Sequence, residues 1–422
     1  LKPPPLDVSI GMTVYATPYE GIGGRLRAEL EDFLVEEVLD DVVFRHVSEQ
    51  PKKQQGSYVL FSLTKRGLDT LHAVRIVEKV FGARVNYLGI KDANAVTTQY
   101  ITIPAEAERE QINLPNSLIL KKLGYLPYPL NRSHLIGNKF NIKIRELERR
   151  ERLPQLIESV IEKGVPNYFG YQRFGSRRPV THLIGRALVK RRFDEAINLL
   201  LTYTTEYEKE SIQRARRALS EDYLKVDVED LPPTLDLERH VLRRLKTHPN
   251  DYLRAIRSIP LRVRRLFVNA YQSYIFNRTL SAAIEDGADL STIHRSELYA
   301  EVSGVRMLDV RRAEEKVDRS KGVLLCPLVG YNFKKEDFGR MGVYASKVLL
   351  EEGVSPRNFY IDEMPELSVG GDFRAATILL TELCAEVSEE ALSLKTILGK
   401  GCYITTLLRE VMKPQDPVKA GF

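Results

Sequence analysis

Between residues 58 and 144 five segments read as strands and only one as a helix, and this imbalance most restricts what the chain can fold into. Tyr58–Leu63, Val85–Ile90, Tyr100–Ile103, Leu118–Leu126 and Phe140–Ile144 are apolar or aromatic runs of strand length. The helix is marked by Leu68, Leu71, Val74, Val77 and Phe81 at helical spacing, with Gly82 as its stop. Strands with so few helices between them suit antiparallel pairing, because parallel neighbours need long crossovers. The expectation is an α+β chain with a largely antiparallel sheet.

The texture changes near Thr181. Leu183–Leu201, Glu206–Leu219, Leu237–Leu245, Asp251–Ser258 and Leu266–Ile284 read as helices, and Tyr299–Val302 and Val323–Val329 as strands. A helical run is expected from Arg374 through Cys384, then a strand over Cys402–Leu408. A chain of 422 residues exceeds one ordinary core, so two domains are expected. Val323–Val329 is too short to span a bilayer, and the N-terminus lacks the basic-then-apolar pattern of a signal peptide. Cys326, Cys384 and Cys402 form no CxxC pair, which argues against a disulfide framework or a cysteine zinc site and fits a reducing cytosol.

The net charge of +6 is mild, so the placement of cations matters more than their total. Runs occur at Arg186, Lys190, Arg191 and Arg192; at Arg214, Arg216 and Arg217; at Arg243, Arg244 and Lys246; and at Arg262, Arg264 and Arg265. Each alone reads as a solvated face; together they suggest a surface for RNA. Two motifs carry chemistry. In GIKDANAVTTQYITI, Gly89–Ile103, Asp92 lies in a polar loop between strand-like segments, beside Lys91. By itself such an aspartate reads as a turn residue or helix cap; held ionised by a nearby cation, it becomes a nucleophile or base. In PNYFGYQRFGSRR, Pro166–Arg178, Asn167, Tyr168 and Phe169 precede Arg173, Arg177 and Arg178. The aromatics suit core packing or base stacking, and the arginines a solvated face or phosphate contacts. GIGGRL at Gly21–Leu26 lacks the third glycine of a dinucleotide fingerprint. There is no GxxxxGK[ST] loop, HExxH spacing or GxSxG elbow.

With these blocks in order along the chain, the sequence resembles the TruD family of pseudouridine synthases. RAELEDFLVEEVL (Arg27–Leu39), GIKDANAVTTQ (Gly89–Gln99) and PNYFGYQRFG (Pro166–Gly175) are similar to its N-terminal, catalytic-aspartate and NxFGxQRFG blocks. GGDFRAA and GCYITTLLREVMK resemble its closing blocks. The resemblance implies a catalytic core with a mixed, mainly antiparallel sheet, formed by residues 1–192 and 366–422. A helix-rich α/β domain, residues 193–365, would be inserted in it; NAYQSYIFNRTL (Asn269–Leu280) resembles a block of that insertion. The implied reaction is isomerisation of uridine in tRNA, typically at position 13, with no cofactor and no metal. Asp92 would be the catalytic carboxylate, attacking the anomeric carbon or removing an adjacent sugar proton. Arg27 would pair with it, Phe169 stack on the base, Asn167 orient the base or the loop, and Tyr403 complete the pocket. Lys91, Arg173, Arg177 and Arg178 would meet RNA. The implied partner is tRNA, met as a cytoplasmic monomer, with no membrane and no nucleotide cofactor. Two rivals stay open: a non-catalytic RNA-binding or tRNA-folding protein on the same fold, and an RNA glycosidase that would release free uracil.

Overall fold

The computed structural model describes residues 1–50 and 57–422. Its main sheet has nine strands: β1 Gly23–Arg25, β2 Phe33–Leu39, β3 Tyr58–Arg66, β4 Asn86–Tyr87, β5 Val96–Pro104, β6 Leu118–Leu126, β7 Leu135–Leu147 and, far along the chain, the last two. A second sheet holds β8 Leu298–Ser303, β9 Arg306–Arg312, β10 Gly322–Leu328 and β11 Asp372–Ala375. The chain then returns to the main sheet as β12 Leu380–Val387 and β13 Ala391–Gly399. The order is β12-β13-β7-β2-β5-β3-β6, with β1 on β7 and β4 on β5. Only β2 and β5 pair in parallel among the described strands, so the sheet is mixed and mainly antiparallel, as expected.

Alternation sets the faces. On β2, Phe33, Val35 and Glu37 point to one side, and Phe140, Ile142 and Ile144 of β7 continue that side. They pack under the helices Leu153–Lys163 and Ile404–Met412. The helix Thr70–Phe81 covers Val59, Phe61 and Leu63 of β3. Asp69 caps its start by accepting from the His72 N–H, and Gly82 ends it in the left-handed region at φ 66°.

The middle of the chain builds a helical layer. The 25-residue helix Leu261–Glu285 crosses Thr181–Val189 so closely that a Cβ at Gly185 would lie 2.0 Å from the Phe267 carbonyl oxygen. Within that layer Thr181–Val189 shares one apolar cluster with helices as far along as Gly339–Glu352. The cationic runs are partly consumed here: Arg216 is buried on Glu208 and Glu238, and Arg264 on Glu366 and the Ile259 carbonyl. No helix among the described residues is long and apolar enough to cross a membrane.

Three expectations are corrected. The run Arg374–Cys384 is not helical: its start is β11, paired with β10, and its end opens β12, the edge strand on β13. Ala, Leu and Glu favour helix there, but two sheets supply hydrogen-bond partners and override the propensity. Cys402–Leu408 is not a strand, since Ile404–Met412 is a helix. Ile404, Leu407, Leu408, Val411 and Met412 repeat at helical spacing and are buried, outweighing the β-branched Ile404-Thr405-Thr406. Val85–Ile90 shrinks to the two residues of β4, because the chain then turns out into the Asp92 loop.

Candidate active site

A cavity of about 250 Å³ lies on the exposed end of the Phe33–Val35–Phe140 face. Its floor is the main sheet: Phe33 and Val35 of β2, Thr97 of β5, and Asn138 and Phe140 of β7. One wall is the loop Ile90–Ala95 with Asp92, and the opposite wall is Gly170, Tyr171 and Gln172 with Cys402–Thr405. Arg27 and Phe422 close the remaining side. The expected Asp92 and Arg27 thus share one cavity, and Tyr403 joins them.

The Asp92 loop owes its shape to side chains behind it. Lys65, fully buried on β3, donates to the carbonyls of Leu68 at 2.6 Å and Asp92 at 2.7 Å. Burial pushes the Lys65 pKa down to about 8, with the Asp92 charge opposing the fall. Thr70 Oγ1 accepts from the Lys91 N–H at 2.8 Å, and Gln99 Nε2 donates to the Gly89 carbonyl at 2.7 Å. Gly89, Lys91 and Asp92 are therefore each held by a buried group, while the Asp92 carboxylate stays exposed to the cavity. Its Oδ2 accepts from Gln172 Nε2 at 2.5 Å.

Arg27 is a non-glycine residue in the left-handed region, φ 55°, which costs of order 1 kcal/mol or more. Its guanidinium lies 4.1 Å from the Phe33 ring centroid, and its Nη1 donates to the Gly421 carbonyl. The expected fork on Asp92 does not form, since no ion pair within 4 Å joins the two among the described residues. Arg27 acts on Asp92 at longer range: burial lowers the arginine's pKa, and the aspartate's charge partly restores it.

The other expected residues divide. Asn167 is buried, donating to the Ala375 carbonyl at 3.1 Å and accepting from Arg374 Nη2 at 2.7 Å. Phe169 is also buried, outside the cavity wall, edge-on to Phe276 and under the Arg374 guanidinium at 4.2 Å. Its backbone N–H and carbonyl both bond the Asn277 amide, at 2.8 and 3.1 Å. Tyr403, 6.2 Å from Phe169 between ring centroids, is the one of this pair that lines the cavity. Arg177 is exposed, and Arg173 lies 5.0 Å from the Phe169 ring. Two cations are engaged by partners within the protein, one of them, Lys91, while lining the cavity. Lys91 is paired with buried Glu37 at 2.7 Å. Arg178 turns inward, onto the carbonyls of Leu199, Leu200 and Tyr203 at the end of the helix Phe193–Thr202, where the last carbonyls run out of helical partners. Gln172, Lys65, Thr70, Gln99 and Arg374 escaped the sequence reading. Gln172 and Gln99 lie inside the two blocks singled out, which was the available signal; Lys65 carried none.

The geometry places an exposed carboxylate, a near but unpaired guanidinium and the Tyr403 ring around a cavity floored by a sheet, with no histidine among the described lining residues. A family model described as tRNA pseudouridine synthase D (TruD) matches residues 9–411. A relative from Methanosarcina acetivorans, named "Probable tRNA pseudouridine synthase D", is 34% identical, with 99% of each chain covered. One of the same name from Methanopyrus kandleri is 38% identical over 85% of this chain and 86% of its own. A crystal structure described as that of a tRNA pseudouridine synthase D (TruD) from Methanosarcina mazei is similar with a TM-score of 0.81 and 32% identity, covering 98% of this chain and 99% of that one.

Proposed function

The chain belongs to the TruD family of tRNA pseudouridine synthases, and we propose that Asp92 is the carboxylate with which it isomerises a tRNA uridine, the one at position 13. The reaction breaks the bond from the anomeric carbon to N1 and forms one to C5; C5 loses a proton and N1 ends protonated. Atoms and electrons balance without a co-reactant. Asp92 either attacks the anomeric carbon or removes an adjacent sugar proton. Both roles need a carboxylate open to the cavity, and Arg27 lies near it without covering the oxygens. The target must leave its stack to reach Asp92, so the base is flipped into the cavity.

The observation that carries this reading is the Asp92 loop itself, its backbone held by buried Lys65, Thr70 and Gln99 while its carboxylate is left to the cavity. Tyr403 is the ring placed to stack on the uracil, and Phe169 supports it through Arg374, which lies over both rings. Asn167 positions Arg374. Arg173 and Arg177 are the arginines we assign to RNA. We further read residues 193–365 as a domain inserted in a core of residues 1–192 and 366–422. The main sheet, which draws strands from both flanks, supports that division. The protein would act as a monomer in the cytoplasm.

The test is pseudouridine mapping at single-nucleotide resolution on unmodified tRNA transcripts, with wild type and Asp92→Asn side by side. Wild type should convert one uridine, and Asp92→Asn none while keeping its tRNA affinity. Turnover by Asp92→Asn near wild type would remove Asp92 from the chemistry, and release of free uracil would favour the glycosidase.

A further inference from the structure

Ten buried side-chain polar atoms lack a hydrogen-bond partner among the described residues, and three of them belong to residues lining the Asp92 cavity: Arg27 Nε, Thr97 Oγ1 and Asn138 Oδ1. A buried polar atom left unmade costs about 1–3 kcal/mol, so a cluster of three around one cavity calls for a ligand that completes them. Asn138 is the least explicable without one. It sits on β7 on the same face as Phe140, Ile142 and Ile144, all buried and apolar. An apolar residue would extend that row, and asparagine is poorly suited to a strand. The register fixes the neighbours: Asn138 is opposite Glu37, Phe140 opposite Val35, and Val35 opposite Thr97. Asn138 and Thr97 therefore share one sheet face, on the two strands that flank β2. The Glu37 carboxylate is already taken by Lys91 and the Tyr100 N–H, at 2.7 and 3.0 Å.

Resting on the reading above, we propose that Asn138 is a specificity-determining residue that reads the imide edge of the flipped uracil. Its amide oxygen accepts from N3–H, and its amide nitrogen donates to the adjacent ring carbonyl. Uracil presents acceptor, donor, acceptor across O2, N3–H and O4. Rotating the detached ring about the axis through N3 and C6 exchanges N1 with C5 and O2 with O4. The edge facing Asn138 keeps the same pattern before and after that rotation. One amide can thus hold the ring in both the substrate and the product orientation, with no change in its own geometry.

The experiment measures single-turnover rates on tRNA carrying either uridine or 3-methyluridine at the converted position, with wild type, Asn138→Ala and Asn138→Asp. Asp keeps the side-chain volume should Ala disturb the strand. On uridine, both variants should be slower by roughly tenfold, the worth of one or two hydrogen bonds. Wild type should lose at least as much on 3-methyluridine, and Asn138→Ala should lose little further, because the group that reads N3–H is already gone. Asn138→Ala at the wild-type rate, or losses that simply multiply, would overturn the assignment while leaving the synthase reading intact. Wild type that binds tRNA but converts no uridine would overturn both.

Discussion

Replacing Lys65 with methionine separates the anchoring of Asp92 from the stability of the fold. Lys65 Nζ is fully buried and makes two short bonds, to Leu68 O and Asp92 O, and a longer one of 3.4 Å to Lys91 O. Short bonds from a charged donor contribute about 1.5–3 kcal/mol each. Against this stands the cost of burying an ammonium, visible in a pKa lowered from 10.5 to about 8, equivalent to roughly 3 kcal/mol. Methionine is similar in length and needs no partner, so loss and relief largely offset. The net change in folding free energy should be no more than about 3 kcal/mol, and the midpoint of thermal unfolding should fall by less than about 10 °C. The loop gains no such compensation, because the Asp92 carbonyl loses the donor that holds it. A displacement of about 1 Å at a reacting group costs on the order of 100-fold in rate. Steady-state kinetics on tRNA should therefore show kcat reduced by roughly 100-fold with KM within about threefold. A kcat within threefold of wild type would refute the anchoring argument, and so would a rate loss that merely tracks loss of folded protein.

Gln172→Ala removes the 2.5 Å donor to Asp92 Oδ2 from an exposed position, so kcat/KM should fall by roughly three- to tenfold. Gln172→Glu places a like charge there and should fall further. His182 is buried between Phe174 and Tyr274, and burial holds its pKa down to about 4 from 6.5. The unfolded chain takes up this proton near pH 6.5 and the folded chain only near pH 4, so stability falls as pH drops across that window, by roughly 3 kcal/mol in all. Urea melts at pH 7 and pH 4.5 should show this fall, and His182→Gln should lose most of the difference.

Much of the fold is legible because alternation and spacing are local. Leu118–Leu126 and the helix ending at Gly82 need only their own residues to be read. Arg374–Cys384 fails for the opposite reason: it becomes β-structure by pairing with β10 and β13, which are distant choices no local propensity records. Ile404–Met412 was within reach, since its period is plain once the window runs to Met412. The site shows the same divide. Asp92 and Arg27 lie in blocks with a recognisable spelling. Phe169, spelled as plainly, is buried because Asn277 of a helix about a hundred residues away fixes its backbone. Arg178 reads as a phosphate ligand until the end of a nearby helix claims it. A run of arginines states how many cations exist and not which carbonyls they will meet.

The two walls of the cavity are anchored independently, and this bears on how the site is built. The Asp92 wall is fixed by the main sheet and the helix that covers it, through Lys65 of β3, Gln99 of β5 and Thr70 of the helix Thr70–Phe81. The segment from Asn167 to Gln172 takes its bonds from other parts of the chain: Asn277 in the helix Leu261–Glu285, Arg374 in β11 and Asp7 near the N-terminus, which accepts from Tyr171 at 2.7 Å. Asp7 is in turn held by buried Arg409 of the closing helix, at 2.5 Å. Among the described residues, only the Gln172–Asp92 contact is a side-chain bond from this segment to the carboxylate itself. The helical layer thus takes part in shaping the site. Through Asn277 it fixes the wall that faces the carboxylate, so the width of the cavity depends on how the long helix packs against the core, and a rigid Asp92 loop supplies the fixed point against which that width is set.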